Sequence, residues 1–158
     1  MEIKRILNGL ERSPALLREL VAAVPAARMM EHRIAGKWCI HEHAVHLAKV
    51  QTMINERLRR FMTEAAPEFV PYVPGTSTPK DELMKLDLKE SLKKFALERK
   101  KFVGMLRQLK RKDWQKKAKH PEFDEYTPYI MARHLVLHDA VHMYRIEELW
   151  LTKDLEKK

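Results

Sequence analysis

The chain is poor in the residues that form turns, disulfides and membrane spans. Its 158 residues include only four glycines and one cysteine, Cys39, so no disulfide can form within the chain. A many-stranded protein needs a turn signal every 8–12 residues or so, and long stretches here lack proline altogether. No run of about 18 apolar residues is present, which argues against a membrane-spanning helix. These absences predict one all-α domain over residues 1–158.

The cellular compartment can be inferred from similar absences. The N-terminal segment MEIKRILNGLERS lacks the apolar run of a secretory signal. A single cysteine is also typical of proteins that work in a reducing environment. We therefore expect a cytoplasmic protein with no membrane partner.

The net charge of +9 is concentrated in one part of the chain. Residues 80–119 hold 15 Lys and Arg against 6 Asp and Glu, and the remainder is neutral. Most of the basic residues are lysines interleaved with acids. Nucleic-acid-binding proteins more often place arginines and aromatic residues together on one face. We therefore expect a solvated helix face, with a surface for an anionic partner as the alternative, and nucleic-acid binding as the weakest hypothesis.

Apolar residues recur at helical spacing in four segments. We predict helices over residues 3–24, from 38–41 to 64, from 78–82 to 111, and from 127–128 to 155. A break is expected at Ser13-Pro14, where Ser13 would cap a new start. Long connections join the second helix to the third and the third to the fourth. The predicted fold is a four-helix bundle, an architecture whose core commonly holds metal sites.

The proline-rich connection PEFVPYVPGTSTP (67–79) contains four prolines, which remove backbone donors and stiffen it. It is too apolar for a linker that makes no packing contacts. We expect four of its side chains to pack over one end of the bundle: Phe69, Val70, Tyr72 and Val73.

Six of the eight histidines lie in two short tracts, HEHAVH (41–46) and HLVLHDAVH (134–142). His138 and His142 are four residues apart, so they share one face of a helix and can present two imidazoles to one ion. Such a pair is a common half-site for zinc or nickel. A third ligand must come from another helix, and His46 is the natural candidate. The alternative is a set of hydrogen-bonded or exposed histidines without an ion.

Two motifs in the chain carry a resemblance to a known family. The run GKWCIHEHAVHLAKVQ (36–51) resembles the first signature of the DinB-like superfamily, with Trp38, Ile40, Glu42, His46 and Leu47 in register. The run YIMARHLVLHDAVHMYRIEEL (129–149) is similar to its second signature. The matching residues there are His134, His138, Asp139, His142 and Ile146. The zincin pattern H-E-x-x-H, by contrast, fails because Val45 stands where its second histidine would be.

The resemblance implies a four-helix bundle, usually dimeric, with zinc, nickel or a related divalent ion on His46, His138 and His142. Some members of the superfamily transfer or isomerise low-molecular-weight thiols, and the activity of many is unknown. The chain departs from the family at Lys49, Gln51 and Arg145, where members often carry acids or glutamine. These departures leave the ligands intact and alter the charge near them.

Several residues close to the motifs are candidates for further roles. Glu42 lies one turn before His46 and is a candidate general base or a hydrogen-bond acceptor behind the ligand, with an exposed helix carboxylate as the alternative. His134, Asp139 and Arg145 are candidates for the pocket or for contacts behind the ligands, and Tyr144 for a substrate contact. Trp38 is expected to anchor the core. Cys39 would be a fourth ligand only if its thiol points inward.

Three functional hypotheses follow. The first is a metal-dependent enzyme of the thiol-transferase or hydrolase type, acting as a homodimer on a small molecule. The second is a non-enzymatic dimer that binds a metal or small ligand. The third and weakest is a nucleic-acid binder that uses the basic surface of residues 80–119.

Overall fold

A computed structural model describes residues 1–71, 81–153 and 155. Within them it contains five α-helices: α1 (Ile3–Ala23), α2 (Ala26–Met29), α3 (Ile40–Thr63), α4 (Leu88–Gln108) and α5 (Pro128–Leu151). Short 3₁₀ turns occupy Leu83–Lys85 and Asp113–Gln115. The described residues form no β-strand, only the isolated bridges Glu68–Lys119 and Ala118–Tyr126 between connections. The all-α prediction and the four-helix bundle are confirmed.

The four long helices pack in a ring. Both α1 and α3 contact α4 and α5, so α1 lies diagonally opposite α3. One apolar cluster surrounds Phe61, Phe102 and Leu106, and a second surrounds Leu17, Ile40 and Phe95. Within the described part of the chain, no helix combines the length and the apolar character that crossing a membrane requires.

The predicted break in the first helix is wrong. Helix α1 runs without interruption through Pro14, and Ser13 is buried rather than capping a new helix. Proline has no N–H to donate to the carbonyl four residues earlier, which here is that of Leu10. That carbonyl instead accepts a hydrogen bond from the guanidinium of Arg99 at 3.3 Å. A side chain from α4 thus provides the hydrogen bond that the proline cannot.

Arg99 is the centre of a buried polar network that joins all four long helices. Its guanidinium, 1% exposed, donates two bonds to the carboxylate of Asp139 on α5, at 2.5 and 3.0 Å. It also donates to Gln51 Oε1 on α3 at 2.6 Å and to Ser13 Oγ on α1 at 3.0 Å. The Ser13 hydroxyl in turn donates to Asp139. A buried ion pair that is hydrogen-bonded on every side fixes how the helices are rotated relative to one another.

The third long helix begins later than predicted. The acids near residue 81 precede only a 3₁₀ turn, and α4 starts at Leu88, where Asp87 accepts a bond from the Glu90 N–H. It ends at Gln108 rather than 111. Asp87 is the N-cap because it lies one residue before the helix and its carboxylate accepts a backbone N–H of the first turn. Residues 78–80, where the start was expected, lie outside the described residues.

The proline-rich connection follows the prediction only in part. Phe69 is buried against Phe61 and Tyr126, but Val70 is 80% exposed. Tyr72 and Val73 lie outside the described residues. Among the described residues of this connection, Phe69 is therefore the aromatic side chain that packs over this end of the bundle.

The last helix begins as predicted, with Thr127 accepting from the Ile130 N–H and Pro128 in the first turn. It ends at Leu151, four residues early. Leu137 and Val141 are apolar, but both are more than half exposed. They lie on the outer face of α5, and the polar Asp139 takes an inward position instead.

Candidate metal centre

Three imidazoles from two helices meet between α3 and α5. Helix α3 contributes His46, and α5 contributes His138 and His142 from successive turns. One potential ligand atom of each lies within 4.8 Å of the others. His46 is buried and the other two are half-buried. The structure thus brings together the three histidines that the two motifs single out.

A fourth histidine borders this group. His43 lies one turn before His46, and its Nδ1 is 2.9 Å from Nδ1 of His142. With Nδ1 of His142 engaged there, Nε2 is the nitrogen left for an ion. We call these four residues the histidine cluster: His43, His46, His138 and His142.

We expected Trp38 to anchor the core. In the structure its ring instead covers the histidine cluster. Its ring lies 4.7 Å from that of His46 and stacks on His142 at 5.9 Å, measured between centroids. It also meets the edge of His43 at 5.4 Å. An indole at this position limits the access of water to the imidazoles.

Burial keeps the clustered imidazoles neutral. Removal from water lowers the pKa of His46 to about 3, of His138 to about 4 and of His142 to about 2. Repulsion from neighbouring histidines adds to the effect at His46 and His142. The pKa of His43 falls to about 4, again mainly through burial. A neutral imidazole has a free nitrogen lone pair, which is the form that binds metal.

The residues present fit a divalent ion. The Nε2 atoms of His46 and His138 are 3.3 Å apart, and two nitrogens on one tetrahedral zinc, each bonded at roughly 2.0–2.1 Å, are separated by about 3.3–3.4 Å. The buried Nδ1 of His138 has no hydrogen-bond partner among the residues that the structure describes. Neutral imidazoles at this spacing are a donor set for zinc or nickel.

Glu42, the candidate general base, holds the start of α3. One carboxylate oxygen accepts from the Cys39 backbone N–H at 2.9 Å and lies 2.8 Å from Nε2 of His32. This is a capping box in which Cys39 occupies the N-cap position. Cys39 Sγ contacts the sulfur of Met84 at 3.6 Å, and burial raises the pKa of the thiol to about 11. Neither residue belongs to the three-histidine group, although His32, Cys39 and Glu42 lie close enough together to form a second potential ligand group.

The remaining sequence candidates lie at different distances from the cluster. His134 is exposed, and its ring is 6.2 Å from that of His138. Both carboxylate oxygens of Asp139 are engaged by Arg99. Arg145 is exposed, forms a salt bridge with Glu148, and helps to lower the pKa of His43. Tyr144 is 57% exposed.

Two of the positions that depart from the family pattern have partners of their own. Lys49, which stands where family members often carry an acid, forms a salt bridge with Glu82. Gln51 belongs to the Arg99 network.

A small cavity beside His138 is lined by His134, which was a pocket candidate from the sequence, and by residues that were not predicted to line a pocket. It has a volume of about 230 Å³, and its polar lining residues include Arg57, His120, Tyr126 and His134. One signal for it was present in the sequence: Arg57 follows His46 by eleven residues, about three helical turns, and so shares its face. His120 and Tyr126 come from an irregular connection, where helical spacing gives no guide.

Comparison with protein-family models identifies the family of this chain. The model of the DinB superfamily matches residues 9–146, a span that covers α3 and α4 completely, most of α1 and α5, and the two histidine tracts 41–46 and 134–142. The chain belongs to the DinB superfamily. The family resemblance drawn from the two motifs is therefore confirmed. A comparison with curated proteins gives no match.

A solved structure with the same fold is YfiT from Bacillus subtilis, described as a probable metal-dependent hydrolase with an unusual four-helix bundle topology. The two align with a TM-score of 0.84 at 21% sequence identity, over 94% of this chain and 87% of YfiT. At this identity the likeness establishes a shared four-helix-bundle fold.

Proposed function

We propose that this chain is a metal-dependent hydrolase of the DinB superfamily that holds a divalent ion on His46, His138 and His142. The observation that supports it most is the convergence of three neutral imidazoles from two helices, with two Nε2 atoms at 3.3 Å. The description of YfiT as a probable metal-dependent hydrolase agrees with this proposal. Zinc and nickel are the ions that we expect.

The chain's own residues would hold and order this centre. His43 fixes the ring of His142 through the 2.9 Å contact between their Nδ1 atoms, as residues behind a ligand commonly do. Trp38 excludes water from one side, and the 230 Å³ cavity next to His138 offers space for a small substrate. An ion with three protein ligands and an open position lowers the pKa of a bound water or thiol.

A water or a low-molecular-weight thiol could therefore be the nucleophile, and thiol transfer is the alternative reaction at this site. The lone cysteine is unsuited to be the attacking group, because burial raises the pKa of its thiol to about 11. A thiol would have to come from a second substrate. Hydrolysis needs no second substrate, and the cavity is small, so we favour hydrolysis.

Metal content tests the proposal directly. Protein purified without chelators is dialysed against zinc or nickel and then against metal-free buffer, and the bound ion is measured by elemental analysis. We expect about one ion per chain, and its loss in His138→Ala. The matched control is His134→Ala, one turn away on the same helix and exposed, which should keep the ion. An absence of bound metal, or equal content in His138→Ala and the parent, would refute the metal site.

Turnover separates the remaining hypotheses. A panel of simple esters and amides, with and without added thiols, is assayed on the zinc and nickel forms. Hydrolysis that is lost in His46→Ala supports the proposed function, whereas turnover that requires the thiol supports transfer. A stoichiometric ion without turnover on any of these substrates would favour a binding module. Sedimentation tests the proposed homodimer in the same preparations.

A further inference from the structure

The cavity beside His138 contains a buried positive charge. Arg57 projects from α3 into its lining, and its side chain is only 9% exposed. The other walls are largely apolar and include Ile54, Met131 and Leu135. At about 230 Å³ the cavity is smaller than the roughly 300–1,000 Å³ of typical drug-sized pockets. It therefore suits a molecule of a few heavy atoms.

The guanidinium of Arg57 uses only some of its N–H donors in bonds to the described residues. One N–H group donates to Tyr126 Oη at 3.2 Å and another to the carbonyl of Val70 at 2.5 Å. Arginine has five N–H donors, so three have no partner among the residues that the structure describes. Because the Tyr126 hydroxyl accepts from Arg57, its own proton is available for a ligand. Burial also raises the pKa of this hydroxyl, so it stays protonated as a donor.

No carboxylate neutralises Arg57 among the residues that the structure describes. Glu122, an acid in the cavity lining, is exposed and forms no ion pair with it. The contrast within the same bundle is Arg99, which is also buried, at 1% exposed, and is held by two bonds to Asp139. The aromatic rings of Phe69 and Tyr126, at 5.5 and 5.9 Å, offset only part of the cost of removing Arg57 from water.

An uncompensated buried charge is strongly unfavourable unless something pairs with it. We propose that Arg57 and Tyr126 bind the carboxylate group of a small substrate whose reacting group lies at the three-histidine centre. A planar carboxylate matches the fork of a guanidinium in a two-bond arrangement, and one positive charge balances one negative charge. His138 lines the same cavity, so a substrate held by its carboxylate extends toward the proposed ion. This inference relies on the proposed function for the identity of the reacting centre.

The test uses butyrate and its uncharged isostere butyramide as probes. Their binding is followed by NMR shifts of aromatic and histidine side-chain resonances, in the zinc-loaded and the chelated protein. We expect butyrate to bind at least about tenfold more tightly than butyramide in both forms, since hydrogen bonds between charged groups are stronger than those to a neutral amide. Use of the chelated protein excludes direct binding of the carboxylate to the ion as the cause.

Two variants assign the preference to the cavity. Arg57→Gln should reduce the ratio of the two affinities to near one while its zinc content stays that of the parent. Arg60→Gln is the matched control, because Arg60 lies on the same helix, pairs with Glu64 and is not in the lining of this cavity. It should keep the full preference.

Equal binding of butyrate and butyramide to the parent protein would overturn the inference without any variant. So would a preference that survives in Arg57→Gln, or displacement of butyrate by inorganic phosphate at lower concentration than by acetate. The proposed function fails on a different result, namely zinc content that His138→Ala leaves unchanged. The two failures are therefore distinguishable.

Discussion

The buried pair of Arg99 and Asp139 makes the sharpest prediction about stability. Its side chains are 1% and 2% exposed, and Asp139→Asn keeps the shape while removing the charge. Breaking a buried pair on one side typically costs about 3–5 kcal/mol, because the partner charge stays buried. For a domain of this size each kcal/mol lowers the melting temperature by roughly 2–4 °C, so we expect a drop of roughly 6–20 °C.

The assay is urea and thermal unfolding followed by circular dichroism, with a chelator present so that bound metal does not mask the loss. The control is Glu56→Gln, which breaks an exposed pair with Arg59 and should leave the midpoint unchanged. The double variant Arg99→Met/Asp139→Leu should be more stable than Asp139→Asn, since it leaves no buried charge. A midpoint for Asp139→Asn equal to that of the parent would refute the reasoning, and so would a double variant less stable than the single one.

The remaining predictions concern the histidine cluster and two glycines. His43→Ala should weaken zinc binding by about 10–100-fold, since it removes the contact behind His142; a competition titration with a chromogenic chelator measures this, and unchanged affinity would exclude the role. The chelated protein should lose stability as the pH falls from about 6.5 toward 4, because the pKa values of the cluster are lowered in the folded state and the unfolded chain binds more protons. Urea midpoints between pH 7.5 and 5 test this, and a flat profile would contradict it. Gly104→Ala should stabilise the protein by about 0.5–1 kcal/mol, because it lies within α4 and the added Cβ meets no atom within 4 Å. Gly36→Ala should destabilise it by about 1 kcal/mol, since Gly36 has φ +69°; the same unfolding assay compares the two, and equal signs would show that backbone conformation does not decide the outcome.

The helices of the bundle could be predicted because their apolar residues recur at helical spacing. The first was predicted over 3–24 and is found at Ile3–Ala23. The expected break at Pro14 failed because the compensating donor, Arg99, lies 85 residues away on another helix. No local pattern can reveal such a partner. The start of α4 was predicted wrongly for a different reason. The acids at 81–82 and Asp87 are competing signals for a helix start, and only packing decides between them.

Much of the candidate site could also be predicted from the sequence. His138 and His142 follow from four-residue spacing, and the motif around Trp38 made His46 the third member. His43 was missed because it neighbours His142 across the bundle. Arg57 was missed because an arginine on a helix is usually exposed. Asp139 was placed among pocket candidates, but the structure engages it with Arg99. That pairing depends on the rotation of two helices, which one sequence does not reveal.

The centre joins parts of the chain that are made far apart in time. His46 and His138 are separated by 92 residues, so during synthesis α3 emerges long before α5 exists. The pair on α5 alone offers two nitrogens to an ion, and the third arrives only when α3 and α5 have docked. Tight metal binding would then require a completed bundle, and the ion would stabilise only that state. Metal uptake by a growing or refolding chain would therefore report the docking of α3 with α5.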